Sequence, residues 1–419
     1  MTTIATPNHE YIGKWGLITY RPEEIESIAD SLVIPPEVDR ALRALYTSDT
    51  IYPPDAIFKF LLLFAISTFK HLTSYYRWAL KHKQFLIALG FHESYDVWVP
   101  SYKTFWHFMH IRVGRKNIYH LFDVTLRAVL PTIQRTLEKQ KQEQEQEQEQ
   151  EQEQEQEQEQ EQKQKQKTVL QSELDVMVGA KAVLDATPIK ATTHDTEASY
   201  NGHYKMKCYL WHRLIDVDTG IPLGFEVTTG SINEGHIGPA LVLRTRLNQV
   251  NIRELWFDMK YAFGEALATY WIMGIETHYR ISASWAVSQK YNWPAILRRY
   301  YKMWKDEEYR VNASYVYILR FLALRGYLRA VGLHLRNLRI NEYLDAPDSY
   351  IETVSIRSSV EASNGYAKRI SSIKGREFRG LKHVTAHIGF YELGRLILSY
   401  SRCVHDNLRE GTKYLYGLS

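Results

Sequence analysis

Ala182-Val183-Leu184-Asp185-Ala186 is a short apolar run holding a single carboxylate, and its reading decides the fold. A run this short, bounded by polar residues, reads as a buried strand rather than a helix. Two more strand-like runs follow, Lys207 to Asp216 and Pro222 to Thr229, with Asp218-Thr219-Gly220 between them as a hairpin turn. Three consecutive strands joined this way are expected to pair antiparallel. A helical pattern then covers Gly238 to Gln249, a fourth strand Arg253 to Asp258, a helix Phe263 to Met273 and a fifth strand Glu276 to Ile281. The order strand-strand-strand-helix-strand-helix-strand predicts an α/β layout on one mixed sheet of five strands.

That order is the ribonuclease H-like one, and the flanking sequence divides around it. Residues 1–137 read as a helical region for DNA binding, with apolar positions at helical spacing through Ile57, Phe60, Leu61 and Phe64 and again through Leu80, Phe85, Leu86 and Leu89. Gly90 is expected to end a helix. Ser101 is a good N-cap and Gly114 a good stop for a short helix between them. With Lys103, His107, His110 and Arg112 facing solvent, that helix fits the recognition helix of a helix-turn-helix, although small helical domains share these features without touching DNA. Residues 138–172 form a low-complexity linker, residues 173–284 the first part of the catalytic domain, and residues 285–352 a mainly helical insertion. Residues 353–419 bring back the catalytic domain as helices, ending in an amphipathic one from about Thr385 to Cys403.

Composition narrows the function. The chain has 419 residues, 45% of them apolar, enough for a sizeable core without staples. Cys208 and Cys403 are the only cysteines, so neither a disulfide framework nor a zinc site is indicated, and a reducing cytosolic compartment fits. The greasiest stretch, Phe60 to Ile66, is far too short to span a bilayer, and no secretory signal pattern opens the chain. The formal charge of +4 hides a basic protein, because residues 139–167 hold ten Glu against five Lys. Glu and Gln alternate from Glu143 to Glu161 in a run that cannot bury a face and is expected to be solvated, disordered or weakly helical. From Arg357 to Lys382 there are seven Lys or Arg against Glu361 and Glu377, a stripe suited to a phosphate backbone and equally to a solvated helix face.

The chemistry gathers at three places. In a sheet of the predicted order the first and fourth strands are parallel neighbours, which brings Asp185 and Asp258, each closing an apolar run, to adjacent strand ends. Arg357, Glu361 and Lys368 form R-x3-E-x6-K. At 100° per helical residue they fall at about 0°, 40° and 20°, so one face presents a carboxylate flanked by two cations. Taken singly, the triplet also fits an exposed ion-paired face, Asp185 a strand-end turn residue and Asp258 a helix N-cap. Taken together, three converging carboxylates repel one another unless a hard divalent cation such as Mg²⁺ or Mn²⁺ lies between them.

In that combination the residues resemble the DDE transposases encoded by prokaryotic insertion sequences, in the subgroup whose third motif is Y-x2-R-x3-E-x6-K. Asp185, in Leu184-Asp185-Ala186-Thr187, matches the first acid. Asp258, followed by Tyr261, resembles the second motif, D-x-G-Y, with Lys260 in place of the glycine. Arg357, Glu361 and Lys368 match the third, Arg379-Gly380-Leu381 after it is typical, and Val354 stands where the subgroup has tyrosine. The likeness covers roughly residues 180 to 402; the segment between Asp258 and Glu361 is similar to the insertion some of these enzymes carry.

The resemblance implies that Asp185, Asp258 and Glu361 bind two Mg²⁺ ions, with Mn²⁺ as a substitute, and drive strand cleavage and joining. Arg357 and Lys368 would hold DNA-end phosphates, with Lys260, Lys205, Arg369 and Lys374 as further DNA contacts. The implied partners are double-stranded DNA, both element terminal inverted repeats and target, and a second copy of the chain on paired ends, with no membrane. The implied location is the prokaryotic cytoplasm, in association with the nucleoid. Lys207 near the carboxylate edge, and Trp285 and Trp293 in the insertion, are weaker candidates for DNA contact than for solvation and core packing. His236 sits where related enzymes often have a His-Asp pair, and His194 and Asp195 read as loop residues. A hydrolytic nuclease of the same fold and an inactive DNA-binding derivative are the rival functions.

Overall fold

The computed structural model describes residues 22–46, 51–91, 99–159, 177–232, 234–281, 313–355, 373 and 378–406. Trp285, Trp293, Arg357, Glu361, Lys368, Arg369 and Lys374 lie outside them.

The strands are β1 (Lys181–Lys190), β2 (Ser199–Asn201), β3 (Met206–Asp216), β4 (Pro222–Thr229), β5 (Glu254–Phe257) and β6 (Glu276–Tyr279). They form one mixed, ribonuclease H-like sheet in the order β2-β3-β1-β5-β6, with β4 also on β3. The β1/β3 and β3/β4 pairs are antiparallel, β1/β5 and β5/β6 parallel, as the element order predicts. The strand the sequence reading missed is β2, which has three residues and no apolar alternation to announce it. The β3–β4 hairpin is organised by Asp216, whose buried carboxylate accepts hydrogen bonds from the Thr219 amide and hydroxyl and the Gly179 amide, while Gly220 takes the left-handed backbone (φ +69°) the turn requires.

Two faces follow from strand alternation. Leu184, Phe257 and Gly224 face the crossover helices α8 (Glu234–Leu247) and α9 (Gly264–Ile272); Gly224 is needed there, since a Cβ would fall 2.7 Å from the Thr245 hydroxyl. Trp211, Arg213 and Phe225 face the other way, towards the C-terminal helix Leu381–Asp406. This helix was expected to be amphipathic and is not. From Val384 to Leu398 every residue is buried, because the sheet covers one side and helices from the N-terminal region cover the other. Those are α3 (Pro54–Ile66), itself almost wholly buried, and α7 (Gly114–Glu159). Phe58 meets Phe390, Phe64 meets His387, and Phe122 and Tyr119 on α7 meet Phe225 on β4. One hydrophobic core therefore runs from Ile25 to Cys403 across the expected boundary between helical region and catalytic domain.

Local winding decides the rest of the N-terminal region. Of the alternatives open for the Glu-Gln run, disordered or weakly helical, the structure has the helical one as far as Glu159, where α7 is a smooth extension of a helix anchored in the core by Ile118, Leu121, Leu126 and Ile133. Before it, Ser101 caps helix α6 (Tyr102–His107) as expected, accepting from the Thr104 amide at 3.4 Å. The chain then winds into a π-helical turn, Phe108–Val113, which rotates His110 into the interior against His383 and turns Arg112 onto the Tyr46 ring, 4.0 Å away, with a hydrogen bond to the Leu45 carbonyl. Lys103 and His107 stay exposed, but His110 and Arg112 are spent on packing, and the run is not an exposed recognition helix. Gly114, with φ +53°, ends that turn and begins α7 at once. In the insertion, α10 (Ala313–Asp345) packs on α9, and α11 (Pro347–Ser355) docks on the sheet edge at β6.

Candidate active site

Asp185 is not at a strand end. Strand β1 runs five residues beyond it to Lys190 while its β5 partner stops at Phe257, so the β5 side of β1 opens at Asp185. The last registered pairs are Val183 with Trp256 and Leu184 with Phe257. Asp185 and Asp258 each come next, on parallel strands roughly 4.8 Å apart, so the two carboxylates stand side by side on the face that carries Val183 and Trp256. Both residues are half-buried. Asp258 occupies the N-cap position of the turn Met259–Tyr261 but makes no capping hydrogen bond, so capping does not account for it.

The described residues flanking the third motif converge on this edge from both sides. Upstream, the Trp256 indole donates to the Thr353 carbonyl (3.0 Å) and the Tyr350 hydroxyl to the Tyr279 carbonyl (2.6 Å), pinning α11 to β5 and β6. Val354, three residues before Arg357, lines a cavity of about 370 Å³ together with Asp258, Met259 and Arg280. Downstream, the Phe378 amide donates to the Lys190 carbonyl, and the Thr192 amide to that of Phe378, extending β1 by one bridge. The chain between 355 and 378 thus leaves from beside Asp258 and returns to the end of β1.

Asp195 makes that return rigid. Read from sequence as a loop residue, it is buried and accepts from the Tyr209 hydroxyl (2.6 Å) and the Gly380 amide (2.8 Å), while neighbouring Glu197 accepts from the Leu381 amide (2.7 Å). The typical Arg379-Gly380-Leu381 segment is therefore a helix N-terminus clamped by two carboxylates from the loop after β1. Burial opposes the ionisation of Asp195, yet the bonds from Tyr209 and from the amides of Gly380, Glu197 and Ala198 hold its carboxyl below the usual carboxylate range.

Glu234 and Tyr204 belong to the site and were not singled out for it from sequence. Glu234, in the first turn of α8, is buried, and Lys260 reaches it with an ammonium 3.4 Å from Oε1. Burial pushes the Glu234 carboxyl up, Lys260 pulls it back, and the charges of Asp258 and Asp185 add to the rise, so all four groups share one field. Tyr204, on the β2–β3 turn, lies under Lys260 with its ring 4.9 Å from the ammonium; burial and then Glu234, Asp185 and Asp258 raise its hydroxyl pKa. A pattern of buried charge close in space but scattered over residues 185 to 260 leaves no signature in the chain. Of the other residues named from sequence, Lys205 is exposed with a left-handed backbone (φ +52°), Lys207 donates to the Thr193 carbonyl, His194 is exposed, and His236 is exposed against the Phe263 ring.

Among the described residues no group of three or more His, Cys, Asp or Glu is arranged to hold a metal ion. Asp185 and Asp258 supply two oxygen donors of the hard kind that Mg²⁺ or Mn²⁺ prefers, so their chemistry fits a divalent cation completed by a further ligand and water.

A mixed sheet in which β1 and β5 run parallel, with one aspartate on β1 and another directly after β5 where the two part, defines a ribonuclease H-like scaffold of the kind used for phosphodiester chemistry. Residues 180–391, just over half the chain, match the family described as the transposase DDE domain, and the chain belongs to that family. No curated protein and no solved structure matches it. No described helix is long and apolar enough to cross a membrane.

Proposed function

We propose that the protein is a DNA transposase that cleaves at the ends of its own element and joins the resulting 3′-hydroxyls to target DNA. The observation that carries this reading is the register that sets Asp185 beside Asp258, with the chain before Glu361 anchored beside Asp258 and the chain after it anchored at the end of β1. Asp185, Asp258 and Glu361 are the catalytic carboxylates and would hold two Mg²⁺ ions, or Mn²⁺ in their place. Bound there, such ions supply activation of the attacking oxygen and stabilisation of the leaving one. The chain's own groups do the rest. The carboxylates would fix where the ions sit, and Arg357 and Lys368 hold phosphates of the DNA end. Lys260, Lys205, Arg369 and Lys374 extend the contact to the backbone, which makes binding salt-dependent.

The partners are double-stranded DNA and a second copy of the chain on paired ends, in a prokaryotic cytoplasm close to the nucleoid. Incubation of the full chain with Mg²⁺, a duplex carrying DNA that flanks the gene, and a supercoiled target tests the reading. Joined products are expected. Cleavage without joining would assign the fold to a hydrolytic nuclease, and binding without either would mark an inactive DNA-binding derivative.

A further inference from the structure

We propose that Glu234 and Tyr204 form a cradle that fixes the Lys260 ammonium against the DNA phosphate lying beside Asp185 and Asp258, making Lys260 a phosphate contact inside the site and the other two its positioning residues. The proposal rests on the DNA-cleaving reading above. Four observations carry it. Lys260 follows Asp258 by two residues, in the turn Met259–Tyr261 that leaves β5, so its backbone is fixed at the site's rim. Its side chain keeps 31% of its exposure whereas that of Glu234 keeps 9%, so the cation is reachable from outside and its counterion is not. The ion pair is long, at 3.4 Å, and the ring of Tyr204 supports the ammonium from another side, which leaves donors of the –NH₃⁺ group for an incoming oxygen. Finally, the buried Glu234 carboxylate has Lys260 as ion-pair partner and hydrogen-bond donor, which accounts for a carboxylate held in the interior.

The Tyr204 wall of the cradle is itself held in place. The Asn201 side chain accepts from the His203 and Tyr204 amides (3.0 and 3.2 Å) and donates to the Gly230 carbonyl (2.7 Å), pinning the β2–β3 turn that delivers Tyr204. A free lysine loses rotamer entropy when it is immobilised on a phosphate. Here that ordering is done before DNA arrives. The arrangement also accounts for lysine in this chain where the resembling motif has glycine: a phosphate entering between two aspartates meets like charge, and a fixed cation at the rim offsets it.

The test uses the full chain, without divalent metal, and a fluorescent duplex carrying DNA that flanks the gene, titrated over a series of salt concentrations. Lys260→Ala, with Lys260→Gln as the milder variant, is expected to lower the slope of log affinity against log salt by about 0.9, one phosphate's worth. Lys260→Arg is expected to restore it. Glu234→Gln keeps the slope but slows Mg²⁺-dependent cleavage about tenfold, and adds no further loss in the Lys260→Ala background. Parental slopes in folded Lys260→Ala and Lys260→Gln, or a Glu234→Gln loss that persists without Lys260, would overturn the proposal. A parent that binds the duplex but does not cut it would instead sink the cleavage reading, with the slope comparison still deciding the contact.

Discussion

Two clusters of charge sit on the same sheet, and they are built on opposite rules. In the interior, between β3 and the C-terminal helix, Arg213 and Glu392 lie 2.7 Å apart with both side chains fully buried, Arg395 adds a second cation 3.6 Å from Glu392, and the Arg213 guanidinium stacks on Trp211. At the edge, Asp185, Asp258 and Glu234 bring three carboxylates into one field with Lys260 as their nearby cation. Yet Asp185 and Arg213 are register partners on β1 and β3, one cross-strand step apart. The first cluster is sealed, with two guanidinium groups sharing one carboxylate; the second is short of positive charge and open. Opposite charges sealed in contact fix a helix to a sheet, whereas an open excess of negative charge held in place by the fold is poised to take up cations from outside.

Substitutions break this contrast in order of expected size. Asp185→Ala and Asp258→Ala should each lower metal-dependent DNA cleavage by at least about 10³-fold, some 4 kcal/mol of transition-state stabilisation, without lowering the melting temperature, because removing one of several like charges relieves repulsion. Retained cleavage in either variant would remove that residue from the site. Glu392→Ala should do the reverse, destabilising the fold by about 3–5 kcal/mol by leaving Arg213 and Arg395 buried without a counterion, which a denaturant titration would read directly. An unchanged denaturation midpoint would show that the interior cluster does not anchor the C-terminal helix.

Asp195→Ala sharpens the comparison, since Asp195 is buried like the interior cluster but serves the site's return segment. It should cost about 1–3 kcal/mol by orphaning the Gly380 amide and the Tyr209 hydroxyl. Because the native carboxyl is held below its unfolded value near 3.9, this contribution is full above about pH 4 and is lost as pH falls through the native pKa. Smallest at neutral pH is the effect of His212, buried between the Tyr261 and Thr228 hydroxyls and pushed by burial down to about 3. The neutral ring's contribution is full above the unfolded value near 6.5 and drains away as pH falls towards 3. Melting curves of His212→Gln from pH 7 to pH 4 should therefore fall less steeply than the parent's; parallel curves would show that His212 takes up its proton alike in the native and unfolded states.

Much of the sheet was legible because its signals are local. The runs around Leu184, Leu214 and Trp256 are short and apolar, the turn Asp218-Thr219-Gly220 announces the hairpin, and the order of elements fixes which strands neighbour each other. The same locality misled where packing overrides pattern. The helix after Leu381 looks amphipathic only if one partner is assumed, and the exposed-looking face at His110 and Arg112 is turned inward by a π-helical turn that no periodicity predicts. Asp185 read as a strand end because the sequence shows where apolar residues stop, not where a neighbouring strand stops.

By itself the sequence determined the mixed α/β order and the neighbouring parallel strands that carry Asp185 and lead into Asp258, the pair to which we propose Glu361 is coupled. Tertiary structure decided the rest: that β5 ends where Asp185 needs an open side, that Asp195 clamps the start of the C-terminal helix, and that Glu234, Tyr204 and Lys260 meet at the site's rim. The reason is range. Strand and turn propensities act over a few neighbouring residues and are written in the chain, while a buried charge finds its partner through space, across the 26 residues from Glu234 to Lys260 or the 185 from Asp195 to Gly380.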